Sequence, residues 1–499
     1  DLNAKGLIVD DNKWNNMNGI YDKENYTSTS YTNYITKMSV LARVNYNYKK
    51  RYYLTLTGRY DGSSNFAANH KWGFFPSAAV KWNISNEYFM RRVRWIEELS
   101  LRVSAGRTGN DAIKPYRSIE AYTSTSGGYL LGGSQSTAFY PVRVASDNLT
   151  WETTDLYNAA IDASLLKKRL NITFEAYISK TRDLLLSVQK AAQSGYTSHF
   201  ENIGRTSNKG VELTVETRNI VKPKFSWSTS LTLSHNKQMV EDIGSEDFVS
   251  AMNSPGNSQY MMYGYVKGRP LNALWGFKYG GVWHNQEEIE RNKVTNTYVS
   301  ATTSLSPGLP RYIDTNNDGV INDDDKTFAG SYTPKNTFSF GGSLNWKGFD
   351  FSFFFQGVTG NKVYNGLKQM AMNGRNDYGN LISDVYNSWD FNPQGSKYPR
   401  LGLVTGSDTN GNYSKFSDIF LEDGDYLRLK NITLGYTLPK SVSRFVGMEN
   451  GSLRVYMSVD NVCTITGYSG VDPEVGNYGI DRGVYPVSRF FNFGVNINF

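Results

Sequence analysis

From Met38 the chain reads Met38-Ser39-Val40-Leu41-Ala42-Arg43-Val44-Asn45-Tyr46-Asn47-Tyr48, and after Lys49, Lys50 and Arg51 it resumes as Tyr52-Tyr53-Leu54-Thr55-Leu56-Thr57-Gly58-Arg59-Tyr60. In the first stretch Val40, Ala42, Val44, Tyr46 and Tyr48 share one parity, with Ser39, Arg43, Asn45 and Asn47 on the other. The second stretch repeats this, with Thr55, Thr57 and Arg59 as its polar set. Period two with a short basic turn between is a hairpin whose strands face apolar surroundings on one side and water on the other. The same alternation recurs at Trp72–Ile84, Leu99–Arg107, Tyr157–Leu165, Leu170–Ile178, Val211–Val215, Phe225–His235, Ser258–Lys267, Ala273–Trp283, Phe338–Trp346, Phe349–Phe355, Ile432–Leu438, Leu453–Val459 and Phe491–Phe499. This predicts about fifteen strands. Helical candidates are confined to Tyr88–Glu98 and Lys440–Val446.

Composition narrows what the apolar side is. The 499 residues are 14% aromatic but only 39% hydrophobic, and the mean hydropathy is −0.49. No stretch approaches the roughly 18 to 20 apolar residues of a spanning helix. A membrane barrel fits, because only alternate strand residues meet lipid and its long loops are polar. One cysteine, Cys463, leaves neither an internal disulfide nor a thiolate cluster. The net charge of +7 is spread over mixed signs, and its densest basic run, Arg91, Arg92 and Arg94, reads as a solvated turn, so nucleic acid is not expected as a partner.

Short and long connections alternate. The short ones include Lys49-Lys50, Leu166 to Arg169, Asn219 to Lys224, Gly268 to Pro270 and Lys347-Gly348, whereas the long ones run over residues 108–154, 284–335 and 358–425. That order predicts tight periplasmic turns and long outer loops, 284–335 and 358–425 being extracellular. Tyr46, Tyr48, Tyr52, Phe225, Trp227, Trp346, Phe349 and Tyr436 gather beside the short turns and read as an interfacial girdle. A final strand ending on Phe499 would run inward, which makes Met38–Tyr48 run inward too and residues 1–35 an outer loop. Bacterial barrels have even strand numbers, so an odd number of strands is expected upstream of Asp1.

One motif carries metal chemistry. Asp314-Thr315-Asn316-Asn317-Asp318-Gly319-Val320-Ile321-Asn322-Asp323-Asp324-Asp325 matches a calcium loop, with Asp325 in place of the usual Glu. Asp314, Asn316 and Asp318 offer side-chain oxygens, Val320 its carbonyl, Asn322 a contact through water, and Asp325 the closing carboxylate. Ca²⁺ is therefore expected, stiffening the loop 284–335; the bland alternative is a polar turn. No hydrolase or nucleotide-binding signature is present, His70, His199, His235 and His284 are scattered, and Glu287, Glu288, Glu290 and Asp384 are ordinary loop carboxylates. No catalytic residues are assigned, and an enzyme is not expected.

Several blocks resemble the SusC/RagA class of TonB-dependent outer-membrane transporters of Bacteroidetes. They are Asp61–Phe66 (DGSSNF), Trp72–Ser77 (WGFFPS), Ser104–Asn110 (SAGRTGN), Trp151–Thr154 (WETT), Asn208–Leu213 (NKGVEL), Phe355–Gly357 (FQG), Tyr426–Ile432 (YLRLKNI) and Val471–Glu474 (VDPE). The resemblance implies an all-β transmembrane antiparallel barrel of 22 strands, of which about fifteen would be present here. It also implies an N-terminal plug domain and a TonB-contacting segment that this sequence does not contain, and a SusD-like surface lipoprotein closing over the outer loops. The function so implied is TonB-dependent import of a glycan, oligosaccharide or peptide across the outer membrane. Tyr378, Tyr386 and Trp389, between Tyr364 and Asp425, are candidate contacts for a sugar or peptide substrate, with docking of the lipoprotein or packing within the loop as the alternatives. Two other readings stay open on the residues alone: a passive outer-membrane porin, and a soluble calcium-binding β-protein acting on polysaccharide.

Overall fold

The computed structural model describes residues 33–498, apart from 132–133, 190–192, 194–195, 197, 245–247, 251–261, 293–294, 297–304, 373–379, 402–415, 446–450 and 477–478. Its frame is one antiparallel sheet of thirteen strands in which sequence neighbours are also spatial neighbours. They are β1 (Lys37–Tyr48), β2 (Tyr52–Ser63), β3 (Trp72–Asn83), β4 (Ile96–Asn110), β5 (Glu152–Leu165), β6 (Leu170–Arg182), β7 (Arg205–Lys222), β8 (Phe225–Asp242), β9 (Asn336–Trp346), β10 (Phe349–Thr359), β11 (Tyr426–Thr437), β12 (Ser452–Thr466) and β13 (Phe490–Asn498). The edges of the sheet are β1 and β13.

The expected fifteen strands are thus thirteen in the wall. Residues 258–283 supply neither of the two wall strands predicted there: Met262–Val266, Ala273–Gly276 and Thr327–Ser331 belong to a separate small sheet, and Tyr279–Val282 pairs with Pro310–Tyr312. Accordingly Gly268 to Pro270 is a turn within that small sheet rather than a wall hairpin. The alternation there has a different cause. Ala273, Leu274, Gly276 and Phe277 are all buried, so the strand is covered by protein on both faces, and its apolar residues report a protein core rather than lipid on one side.

Register carries the parity through the wall. Val44 faces Leu56, Leu56 faces Ala78, Val80 faces Val103, and Val103 faces Ala159. At the other end Leu434 faces Met457 and Met457 faces Phe493. One face is therefore apolar and exposed throughout: Val44 is 61% exposed, Phe74 59% and Phe493 77%. In lipid, pairing every backbone group along continuous ladders is the solution open to a β-chain.

Short connections join β1 to β2, β5 to β6, β7 to β8 and β9 to β10. At the last, Lys347 and Gly348 take φ +48° and +94°, the left-handed pair of a type I′ hairpin. Two connections on this side are longer; of the helical candidates, Tyr88–Glu98 is helical only as the 3-10 turn Tyr88–Arg92, because β4 begins at Ile96, while Lys440–Phe445 is an α-helical turn. The girdle rings lie here, Phe349 packing 4.4 Å from Tyr436 and 6.5 Å from Trp346, centroid to centroid. Tyr88, Phe89 and Trp95 extend it.

Candidate functional site: the inner wall and the loop layer

The parity opposite to the apolar face is lined with polar and charged groups. Arg102 reaches across to Asp162 through Nε and Nη2 at 2.7 and 3.0 Å, and Asp162 also accepts from Ser100 and Thr173. Asn158 donates to Glu175, and Arg454 grips Asp350 with Nε 2.8 Å away. These pairs are held by neighbouring strands, so the inner surface is a fixed polar lining rather than a set of mobile side chains.

The long connections fold together at the other end of the wall. Lys362–Asn365 pairs antiparallel with Leu421–Asp423 and parallel with Ile480–Asp481, so the segments after β10 and after β12 share one sheet. Around it Leu274, Tyr364, Met372, Tyr398, Phe416, Phe420 and Ile480 form a common core. Burial raises the Tyr364, Tyr312 and Tyr468 phenols above their ordinary value; a hydrogen bond to Asp481 adds to the effect at Tyr468. Lys368 is also raised: burial works against its charge, but Asp384 and Tyr398 more than offset that.

Two of the quoted blocks meet here. A bulge near Lys430 shifts the register of β11, so Leu427 and Leu429 stay on the apolar parity while Arg428 turns inward. Arg428, 2% exposed, then donates to Asp472 at 2.6 Å, Glu474 at 2.7 Å and Thr464 at 2.8 Å. The YLRLKNI and VDPE blocks are thereby the two halves of one ion-pair network. Four further blocks converge at the rim between β2 and β5. Phe66, Phe75 and Trp151 pack ring on ring. The Trp151 indole donates to the Lys71 carbonyl, and Asn65 donates to the carbonyls of Asp111 and Ile113. Gly73 and Gly109 flank the Phe75 ring so closely that a Cβ would come within 2.5 and 2.1 Å of it.

The loop Asp314–Asp325 is an ordered turn. Asp314 accepts from the amides of Asn317 and Gly319, Asp318 from that of Val320 and from the Asn316 side chain, and Asn322 caps the short helix Asp323–Asp325. Gly319 has φ +82°, the left-handed corner the motif requires. Asp325 is fully buried and accepts from the amides of Thr315 and Asn322, and among the described residues no cationic side chain pairs with it. Oxygen donors and a buried carboxylate without a counter-charge suit a hard cation. The carboxylates are however turned to backbone amides, and among the described residues no three His, Cys, Asp or Glu side chains lie close enough together to hold a metal.

Of the candidate aromatic contacts, Tyr378 lies outside the described residues. Trp389 packs over Gly308 and serves the interior of the loop layer, while Tyr386 is 66% exposed and set edge-on to Phe391 at 5.3 Å. Parity did not signal the Arg428 network or the Phe75 rim, since both depend on contacts between distant segments.

An apolar outer face, a charged inner face and strand connections that alternate in length define the wall of a membrane-spanning β-barrel. Residues 3–462 match the family described as TonB dependent receptor-like, beta-barrel, and the chain belongs to that family. It is 34% identical over 521 aligned residues to TonB-dependent receptor P26 of Formosa agariphila, covering 99% of this chain and 49% of that protein. It is 28% identical to TonB-dependent receptor SusC of Bacteroides thetaiotaomicron, covering 96% and 45% respectively. A solved structure described as the RagAB peptide transporter superposes with TM-score 0.72 at 23% identity, over 96% of this chain and 50% of that one, a likeness of fold. The chain spans about half the length of the curated relatives it matches, and it is an outer-membrane protein of the SusC/RagA type.

Proposed function

We propose that this chain forms the wall and outer-loop portion of a TonB-dependent importer of a glycan, oligosaccharide or peptide. The observation that carries the reading is the pairing of a fixed polar inner face with a loop layer that has its own core, from segments 243–335, 360–425 and 467–489. A channel alone needs the first, whereas capture before transport needs the second as well. In this reading the loop segments, including 284–335 and 358–425, face the cell exterior and present a docking surface to a SusD-like lipoprotein. Further strands close the sheet between β1 and β13, because raw edges in lipid would leave backbone groups unpaired at several kcal/mol each. A plug and a TonB-contacting segment complete the full-length transporter, and TonB supplies the energy. A soluble β-protein is disfavoured by the continuous apolar face.

A passive porin shares the wall and differs in energy dependence. Uptake of candidate oligosaccharides and peptides by cells carrying the full-length protein is expected to stop when TonB is deleted and when the lipoprotein is deleted. Undiminished uptake in the TonB deletion would leave the porin reading in place. We further propose that Ca²⁺ occupies Asp314, Asn316, Asp318, Val320, Asn322 and Asp325, neutralising Asp325 and stiffening the loop. Titrating Ca²⁺ into chelator-treated full-length protein is expected to give heat that Asp318→Ala abolishes; identical traces for parent and variant would refute the site.

A further inference from the structure

On the apolar parity of β4 to β8 the hydrocarbon-facing run stops abruptly at a group of cations. Along β6 it reads Leu170, Ile172, Phe174, Ala176 and Ile178, and then Lys180 and Arg182. Ile178 stands beside Lys209 of β7, which stands beside Lys237 of β8. One step higher, Arg107, Asp155 and Lys180 lie in a row. With strands about 4.8 Å apart, Lys180, Lys209 and Lys237 fall within reach of one phosphate-sized group. The charge is not balanced locally. Asp155 is taken by Arg107 at 2.7 Å and by Arg182, and Glu241, at the next level, accepts from Ser207. Among the described residues no carboxylate lies within ion-pair distance of the three lysines. Lys209 directly opposite Lys237 is a like-charge pair that disfavours the sheet unless an anion bridges it. Near the same rim elsewhere the outward residues are Trp72, Phe74, Ile465 and Phe491, so the cations are local.

Beneath them lies a groove of about 630 Å³. Ala105, Ala159 and Ala176 line it together with Val103, Ile178 and Val211, Tyr157 stands between Ala105 and Ile178, and Lys209, Lys237 and His235 complete the lining. Small residues in adjacent strands leave a furrow of acyl-chain character under a cationic head. We propose that this site binds a phosphate-bearing lipid, its chain along the furrow and its phosphate between Lys180, Lys209 and Lys237. A second copy of the chain would set this basic patch against itself in a two-fold contact, which like charges oppose.

The test titrates full-length transporter in detergent with phosphatidic acid, diacylglycerol of the same chains, and inorganic phosphate, read by native mass spectrometry. Phosphatidic acid is expected to bind more tightly than either of the others. Lys180→Gln/Lys209→Gln/Lys237→Gln is expected to weaken it about 100-fold, on the basis of roughly fivefold per cation at a membrane surface. Ala176→Leu, which fills the furrow, should weaken the lipid but not phosphate, and Arg43→Gln/Arg218→Gln on the inner face should change neither. If the triple variant fails to assemble, Lys209→Gln alone should lose about fivefold. Unchanged lipid affinity in the lysine variants, equal affinity for phosphate and lipid, or copies cross-linking through Lys209→Cys would each overturn the proposal.

Discussion

Replacing Arg428 by Ala should loosen the segment after β12 while leaving the wall intact. The guanidinium makes three hydrogen bonds, two of them to the carboxylates of Asp472 and Glu474. A hydrogen bond to a charged group is worth about 1.5 to 3 kcal/mol. The Glu474 side chain is 44% exposed and can rehydrate, so its share is discounted, whereas Asp472 at 13% keeps most of its own. The local loss is then about 3 kcal/mol, or roughly a 150-fold larger opening equilibrium. Hydrogen exchange on the full-length protein reads this directly. The amides of Glu474 and Val487, which donate to the Asp472 carboxylate, should exchange faster by about that factor if opening limits exchange. Exchange of β12 core amides should be unchanged, and Arg428→Lys should recover part of the protection. Unaltered exchange at Glu474 and Val487 in Arg428→Ala would refute the network as the clamp of this segment.

Three other outcomes follow from packing and protonation. Gly109→Ala places a methyl 2.1 Å from the Phe75 ring and should lower stability by about 1 to 3 kcal/mol, whereas Gly109→Ala with Phe75→Leu should recover part of that, measured by urea unfolding of the folded barrel. The buried Tyr364, Tyr312 and Tyr468 phenols have folded pKa values above the ordinary 10.0, so their contribution is complete below pH 10 and is lost as the pH rises beyond it. Ultraviolet titration should therefore find a set of tyrosines that ionise only as the loop layer unfolds; complete ionisation near pH 10 would contradict this. The Tyr364 hydroxyl has no hydrogen-bond partner among the described residues, so Tyr364→Phe should be neutral or stabilising in the same unfolding measurement.

Much of the wall is legible in the sequence because a strand between lipid and water has no freedom over which parity is apolar. Val40 to Tyr48 and Phe491 to Ile497 are readable for that reason. Reading fails where protein replaces lipid as the apolar medium, as at Ala273, Leu274 and Phe277, which are buried on both faces of their strand in the loop layer. Period two also marks only part of some strands: Val211–Val215 is the middle of the 18-residue β7, which continues through Asn208 and Lys209, where apolar residues are lacking. The partners of Arg428 and Phe75 lie 44 and 76 residues away in sequence, and no local period records them.

In the wall, one sheet parity faces lipid and the other a polar interior. Single cysteines introduced in turn at residues 171 to 178 of β6, in full-length protein with Cys463 replaced by Ser, would carry nitroxide labels in bilayers. Oxygen accessibility is expected to peak at 172, 174, 176 and 178, and accessibility to a polar nickel complex at 171, 173, 175 and 177. Accessibility without period two, or with the two parities exchanged, would contradict this assignment.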